Sequence, residues 1–365
     1  MHVLVVGGTG PTGPHLVNGL IDQGHRVTIL HTGRHEVDTI PPEVEHIHTN
    51  PFDVTELSAA LGDRKFDLVF AMYGRLRDLA RFFKGRCGRM VAVGGVPAYK
   101  GFAAPQNNWP EGLLVPIRED AARGVDDENV KVARIVATED VFFDAHPDGT
   151  LFRYPLIYGP GQINPREWLI VRRLLDGRRR IIVADGGLTL RSAGYGPNVG
   201  HAVALTAQHL EVAAGKAYNV GDELVLTARQ TIEVIARALA CEIEIVNLPA
   251  ALAAAARPFL SAETTLHKFT GVDAIRTDLG YRDLVPAVEA IAITARHLAE
   301  NPVPRGSTQE MRLQDPFDYE AEDHIIDAYQ SLLATAGPVA DQYDPDFRDR
   351  YAPGSDDWRL VEPRS

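Results

Sequence analysis

The first 20 residues constrain the fold of this chain more than any other stretch. Residues 3–6 are four consecutive branched apolar residues, the pattern of a strand that is buried on both faces. Glycines at positions 7, 10 and 13 follow, and an apolar pattern of helical period then runs to Leu20. Glycine lets the backbone turn tightly and approach a pyrophosphate, and the N-terminus of the next helix offers unpaired N–H groups to it. The stretch therefore predicts a dinucleotide-binding turn, whose contact residues would be Gly7, Thr9, Gly10, Pro11, Thr12 and Gly13.

Further apolar strand segments alternate with helical patterns along the first part of the chain. They cover residues 26–30, 44–48, 67–71 and 90–93. This alternation predicts an α/β fold with a doubly wound parallel sheet, in which the carboxyl ends of the strands bind the ligand.

The end of the second strand bears on which dinucleotide is bound. An NAD site usually has an Asp or Glu there for the ribose 2′-hydroxyl, whereas an NADP site brings an Arg close. This chain has His31, Thr32, Gly33 and Arg34 at that point, with no acid. The prediction is NADP, with NAD as the alternative, and with His31 and Arg34 beside the adenosine ribose.

The next two strand ends supply the remaining cofactor contacts of this half. Asn50 is expected at the adenine edge, and Asp53 is expected to cap the helix that follows. Ala71, Met72 and Tyr73 are expected to line the central part of the cofactor. The histidines at 46 and 48 alternate with apolar residues and are interpreted as a polar strand face, so no metal site is predicted.

Composition narrows the class of partner. The net charge is −12 and the pI is about 5.5, which disfavours a nucleic-acid face or an anionic membrane surface. The two cysteines are far apart, and no apolar run reaches membrane-spanning length. The chain begins directly with a strand and without a signal sequence, so the cytoplasm is the expected compartment and a small-molecule substrate the expected partner.

Several collinear motifs resemble the extended or atypical short-chain dehydrogenases of the NAD-dependent epimerase/dehydratase family. They lie at residues 7–13, 151–161, 215–221, 226–231 and 276–281, so the resemblance covers roughly residues 1–300. It implies a Rossmann domain mainly in residues 1–160 and a smaller substrate lobe mainly in 161–300, with some returning Rossmann elements. It also implies that Tyr154, Pro155 and Ile157 lie beside the cofactor.

The catalytic residues of that family are not found in their usual places. Members carry a Ser or Thr after the fifth strand, and a Tyr four residues before a Lys on the next helix, the Tyr being the general acid or base. Here the hydroxyl position falls on Gly94 and Gly95, and residues 126–139 contain no Tyr.

Lys131 is the residue that two alternative alignments place at the cofactor. Counting back from Arg153 puts Lys131 at the Lys position and Asp127 at the Tyr position. Anchoring on Glu139 puts Lys131 at the Tyr position and Ile135 at the Lys position. Lys131 is therefore predicted to contact the cofactor and to act as a general acid, the alternative being a surface lysine.

Tyr99 is the second catalytic candidate, because it follows the fifth strand within a glycine-rich turn. An aromatic wall for the substrate is the alternative role.

Three functions are compatible with these features. The main hypothesis is an NAD(P)-dependent oxidoreductase that acts on the carbonyl or alcohol of a small organic molecule, with an active site that lacks the Ser-Tyr-Lys set. The second is a sugar-nucleotide epimerase or dehydratase, and the third is a non-catalytic NAD(P) sensor.

Residues 301–365 form an acidic C-terminal extension. They carry eight of the net negative charges together with seven aromatic residues, too many for a typical disordered tail. The pattern predicts a helix near residues 321–334 and docking of the extension, either along the Rossmann domain or across a homodimer interface. A mobile acidic tail is the alternative.

Overall fold

A computed structural model describes residues 1–72, 75–125 and 129–343. The chain divides into two compact units, Met1–Phe317 and Asp318–Ser365.

Seven parallel strands form the main sheet of the first unit. The strands of the described residues are β1 (His2–Val6), β2 (Arg26–His31), β3 (Glu45–His48), β4 (Phe66–Ala71), β5 (Cys87–Gly95), β6 (Thr150–Tyr154), β7 (Leu156–Tyr158), β8 (Arg180–Ala184), β9 (Ala193–Tyr195), β10 (Ala217–Asn219) and β11 (Glu244–Leu248). The sheet order is β10-β6-β5-β4-β1-β2-β3, and every neighbouring pair is parallel. The chain leaves β1 in opposite directions toward β2 and β4, so a crevice opens between their carboxyl ends.

Helices of the first unit cover both faces of this sheet. The α-helices of the described residues are α1 (Gly13–Asp22), α2 (Val54–Leu61), α3 (Leu76–Phe83), α4 (Val130–Ala145), α5 (Trp168–Leu175), α6 (Gly196–Ala204), α7 (Ala228–Ala238), α8 (Arg257–Leu260), α9 (Asp273–Leu279), α10 (Ala287–Glu300), α11 (Thr308–Met311) and α12 (Tyr319–Ala340). None of the described helices has the length and apolar character needed to cross a bilayer.

Strand β1 explains why the sheet is doubly wound. Val3 and Val5 belong to one buried cluster, which includes Leu16 of α1. Leu4 and Val6 point to the opposite face and belong to a second cluster, with residues of α2, α3 and α4. Side chains alternate between the faces of a strand, so four apolar residues in a row require cover on both sides. The predicted α/β fold with a doubly wound parallel sheet is confirmed.

A smaller lobe follows the sheet, as predicted. It contains two short parallel strand pairs, β7 with β9 and β8 with β11, together with α5, α7 and α10.

The first part of the acidic extension is ordered against α5. Trp168 donates its indole N–H to Glu310 at 2.9 Å, and Arg172 binds the same carboxylate at 2.7 Å. Arg173 pairs with Asp315 at 2.8 Å, and the Arg172 guanidinium lies 3.8 Å from the centre of the Phe317 ring. Residues 301–317 therefore belong to the first unit. The predicted helix exists as α12, which lies in the second unit.

Candidate cofactor and substrate site

The glycine-rich turn between β1 and α1 is shaped by its own backbone. Gly7 and Gly8 have φ of 103° and 92°, values that L side chains rarely adopt. Gly7 N–H donates to the Leu30 carbonyl at 2.9 Å, which anchors the turn to β2. A Cβ on Gly13 would lie 2.3 Å from the carbonyl carbon of Gly8, so only glycine allows the two segments to touch.

The opposite side of the turn is open. A Cβ on Gly10 would have no heavy atom within 4 Å. Thr12 precedes α1 without a capping hydrogen bond from its side chain, and the first turn of α1 has no acidic residue. The positive end of the helix dipole favours an anion here, so these residues fit the pyrophosphate of a dinucleotide.

Other predicted cofactor residues lie along the same sheet edge. Ala71 ends β4 beside Val6 of β1, and Met72 N–H donates to the Val6 carbonyl at 2.9 Å. Asn50 accepts the Phe52 N–H at 3.1 Å. Tyr73 lies outside the described residues.

The predicted helix cap at Asp53 is present. Its carboxylate accepts the N–H groups of Thr55 and Glu56, which fixes the start of α2.

The end of β2 contains a carboxylate that sequence reasoning missed. His31 is buried there and Arg34 is exposed. Glu36, in the loop beyond, lies 3.1 Å from His48 and 3.4 Å from His46. An acid therefore lies near the end of β2, supplied by the loop rather than by the strand. The pair of histidines two residues apart on β3 was the available signal for this cluster.

Tyr154 links the turn to the substrate lobe. Its hydroxyl donates to Thr12 at 3.4 Å, and burial raises its pKa. Pro155 is buried beside it, and Ile157 packs against the core cluster that contains α1. These three predicted residues thus connect the dinucleotide turn to β7.

Tyr99 belongs to a buried polar network. It is 1% exposed, it donates to Asn219 at 2.6 Å, and it accepts from Arg153 at 2.9 Å. Arg153 also binds both carboxylate oxygens of Glu139 at 2.9 Å. Burial raises the pKa of the Tyr99 hydroxyl, and its partners occupy it fully. The Tyr99 hydroxyl is therefore held inside the protein by Asn219 and Arg153, and the catalytic and aromatic-wall roles of Tyr99 both stay predictions.

Lys131 lies in the first turn of α4, which Asn129 caps through the Lys131 and Val132 N–H groups. Its side chain is exposed, and Asp127, its partner in one of the two alignments, lies outside the described residues. In the other alignment Ile135 replaces the lysine of the family. Both alignments thus place Lys131 at one of the family's two catalytic positions on this helix.

A second pocket lies in the substrate lobe. It contains about 620 Å³ of atom-free space, part of it open to solvent, and is lined by Arg166, Glu167, Arg191 and a series of apolar residues. The Arg166 Nε has no hydrogen-bond partner within the described residues. Burial, and secondarily the charge of Arg166, lower the pKa of Arg191 to about 9. Two guanidinium groups, of Arg166 and Arg191, thus share this pocket with two acidic side chains, Glu167 and Asp222.

Asp222 and Tyr158 line the same pocket as a hydrogen-bonded pair. Tyr158 donates its hydroxyl to Asp222 at 2.7 Å, and the Tyr195 N–H donates to the other oxygen at 2.9 Å. Burial raises the pKa of Asp222 to about 7 despite these donors. The pocket therefore holds a carboxyl group that titrates near neutral pH.

Solved structures with the same fold bind NAD and sugar nucleotides. UDP-glucose 4-epimerase of Thermus thermophilus, solved with NAD, is 19% identical with a TM-score of 0.61, over 83% of this chain and 100% of its own. UDP-glucose 4-epimerase of Thermotoga maritima, solved with UDP-glucose, is 16% identical with a TM-score of 0.63, over 82% and 99%. dTDP-glucose 4,6-dehydratase of Bacillus anthracis, solved with NAD, is 13% identical with a TM-score of 0.62, over 83% and 97%.

No protein-family model matches the chain, and neither does any curated protein sequence. The likeness is therefore one of fold, and it agrees with the resemblance of the motifs. The chain has the fold of the extended short-chain dehydrogenases, which NAD-dependent sugar-nucleotide epimerases and dehydratases share.

Proposed function

We propose that this chain binds NAD in the glycine-rich turn and acts on a sugar nucleotide in the lobe pocket, as an epimerase or dehydratase. The observation that carries the proposal is the pair Arg166 and Arg191 in a pocket joined to the turn by residues 154–158. This proposal replaces the small carbonyl compound of the main sequence-based hypothesis, because two half-buried guanidinium groups favour an anionic substrate.

The two arginines are suited to a diphosphate. A guanidinium binds phosphate oxygens through a planar fork of donors. The like charges of Arg166 and Arg191 repel each other, and a bound anion relieves that repulsion. The apolar residues of the pocket, among them Phe259 and Ile291, would cover the less polar faces of the ligand.

NAD is preferred here to NADP. The carboxylate of Glu36 lies near the end of β2, where a negative charge opposes a 2′-phosphate. Two of the three similar structures named above were solved with NAD. Arg34 is exposed, and it would favour NADP only if its side chain turned toward the ribose.

The chemistry rests on hydride exchange. NAD, held by the glycine-rich turn, would supply a hydride acceptor for an alcohol carbon of the sugar and a hydride donor for the later reduction. The neutral amine of Lys131 would accept the proton that leaves the alcohol oxygen, and the resulting ammonium would return it when the carbonyl is reduced. The position of the usual Ser or Thr falls on Gly94 and Gly95, so the hydroxyl that would assist Lys131 is missing.

Calorimetry with UDP-glucose and UDP tests the substrate class. We expect the wild type to bind both ligands, and Arg191→Met to weaken binding at least tenfold. Arg118→Met, at an exposed arginine, is the matched control and should bind as the wild type does. If no nucleoside diphosphate or its sugar binds, the proposed substrate class is wrong.

Fluorescence titrations with NADH and NADPH test the cofactor separately. Tighter binding of NADPH would overturn the preference for NAD.

Conversion of a UDP-sugar by the wild type but not by Lys131→Ala would distinguish the enzyme from the non-catalytic sensor. Equal turnover by both proteins would remove Lys131 from the mechanism.

A further inference from the structure

Three histidines and a glutamate meet at the carboxyl ends of β2 and β3. His46 and His48 lie two residues apart on β3, so their side chains share one face of the strand. His48 is the register partner of His31 on the neighbouring strand, so His31 shares that face too. Glu36 reaches the three rings from the loop between the strands. The cluster is not visible in the sequence, because His46 and His48 follow His31 by 15 and 17 residues and are brought beside it by the register of the two strands.

The spacing of the four ligand atoms matches a tetrahedral metal site. Four ligands at the usual zinc distances lie about 3.3 Å from one another. His31 Nε2 lies 3.2 Å from His46 Nδ1, and His48 Nε2 lies 3.1 Å from a Glu36 oxygen. His31 Nε2 lies 3.9 Å from that same oxygen, and His46 Nδ1 lies 3.4 Å from the other Glu36 oxygen. With one ligand atom from each residue, all four atoms lie within 4.8 Å of one another.

We propose that His31, Glu36, His46 and His48 bind one Zn²⁺ ion. Imidazole nitrogens and a carboxylate oxygen are zinc's usual protein ligands, and three neutral rings with one carboxylate leave a net charge of about +1 on the loaded site. This proposal replaces the interpretation of His46 and His48 as a polar strand face. It does not depend on the proposed function, but the positive charge of a zinc-loaded site would cancel the charge with which Glu36 opposes a 2′-phosphate, so that argument for NAD refers to the zinc-free chain.

Four protein ligands close the coordination sphere, so the site is structural rather than catalytic. The ion would tie the loop after β2 to both strands, beside the predicted adenosine end of the dinucleotide. His48 and Glu36 are 54% and 48% exposed, which gives the ion a path from solvent, whereas His31 is buried.

One contact must change when the metal binds. The Gly33 N–H donates to His31 Nδ1 at 3.3 Å, so the neutral ring carries its proton on Nε2 in that arrangement. Coordination through Nε2 moves this proton to Nδ1, and two N–H groups then face each other. Metal binding therefore displaces Gly33 and shifts the backbone of the loop that carries Glu36.

Zinc titration of tag-free, chelator-treated full-length protein tests the site. Competition with a chromophoric chelator should give one Zn²⁺ per chain, and X-ray absorption should give four nitrogen or oxygen neighbours near 2 Å together with the outer-shell scattering of imidazole rings. His46→Gln, His48→Gln and Glu36→Gln should each weaken binding at least 100-fold. His35→Gln, an exposed histidine in the same loop, should leave the affinity unchanged.

Circular dichroism of each variant separates loss of the site from loss of the fold. A folded wild type that binds no stoichiometric zinc would overturn the proposal and leave a hydrogen-bonded histidine cluster. Zinc binding that survives in the folded His46→Gln and His48→Gln variants would overturn it as well.

Discussion

Arg153 on β6 donates two hydrogen bonds of 2.9 Å to the carboxylate of Glu139 on α4 in the protein interior. The side chains of both residues are at most 4% exposed. The pair joins α4 to the central sheet, and it thereby sets where the first turn of α4, with Lys131, lies. Arg153 also lies over the Tyr99 ring, 4.7 Å from its centre, so one guanidinium organises the whole network.

Removal of Glu139 should destabilise the protein strongly. Glu139→Ala leaves a buried guanidinium with one partner fewer, and loss of one member of a buried pair costs about 3–5 kcal/mol. Glu211→Ala breaks an ion pair with Arg89 in which the carboxylate is 91% exposed, and should cost less than about 1 kcal/mol. Urea unfolding of both variants measures the two losses. Equal small losses would show that the buried pair does not secure α4.

Two glycines of the dinucleotide turn should respond differently to alanine. Gly13→Ala forces a Cβ against the Gly8 backbone and should lower the stability of the cofactor-free protein by several degrees of Tm. Gly10→Ala meets no protein atom, so it should leave that Tm unchanged and weaken NADH binding. Thermal unfolding and fluorescence titration of both variants check this. A normal NADH affinity in Gly10→Ala would place the pyrophosphate elsewhere.

Asp222 should make stability fall as pH rises. Its folded-state pKa of about 7 lies above its ordinary value, so the folded chain holds this proton more tightly than the unfolded chain does. The contribution is fully present below the ordinary pKa of an aspartate and is lost as pH rises to about 7. Asp222→Asn keeps the hydrogen-bonding shape and should show a smaller decline in Tm between pH 5 and pH 8. Asp283 and Tyr158 lie nearby and keep their own titrations, so an unchanged pH profile would contradict the assignment to Asp222.

Glu310 should be a stability determinant within the acidic extension. Glu310→Ala removes the acceptor of the Trp168 indole and of Arg172, both held at α5. Hydrogen bonds to a charged group contribute about 1.5–3 kcal/mol, so a loss of that order is expected in urea unfolding. Met311→Ala changes the next residue, which is 64% exposed, and should be nearly neutral. A neutral Glu310→Ala would mean that residues 301–317 add nothing to the first unit.

Local patterns predicted the sheet, the dinucleotide turn and the Asp53 cap. Each depends on residues close in sequence: the apolar run of β1, the glycines after it, and a side chain that accepts N–H groups two and three residues on. The hydrophobic pattern also predicted that part of the C-terminal extension is ordered, since its aromatic residues need a surface to cover.

Features that depend on distant residues were not predictable in the same way. The buried network around Tyr99 is one such feature, because Asn219 and Arg153, which hydrogen-bond to its hydroxyl, lie 120 and 54 residues away in the sequence. The acid near the end of β2 was missed because Glu36 stands in the loop rather than at the strand tip. The arginines of the lobe pocket likewise converge only through the packing of β9 and the segment before α5.

The contact between Gly8 and Gly13 bears on how fast the dinucleotide is captured. Because contacts within its own backbone hold the turn in place, the turn loses its conformational entropy when the chain folds and not when the ligand binds. Cofactor association should then be a single-exponential process whose rate increases linearly with cofactor concentration, without the plateau of a rate-limiting loop closure.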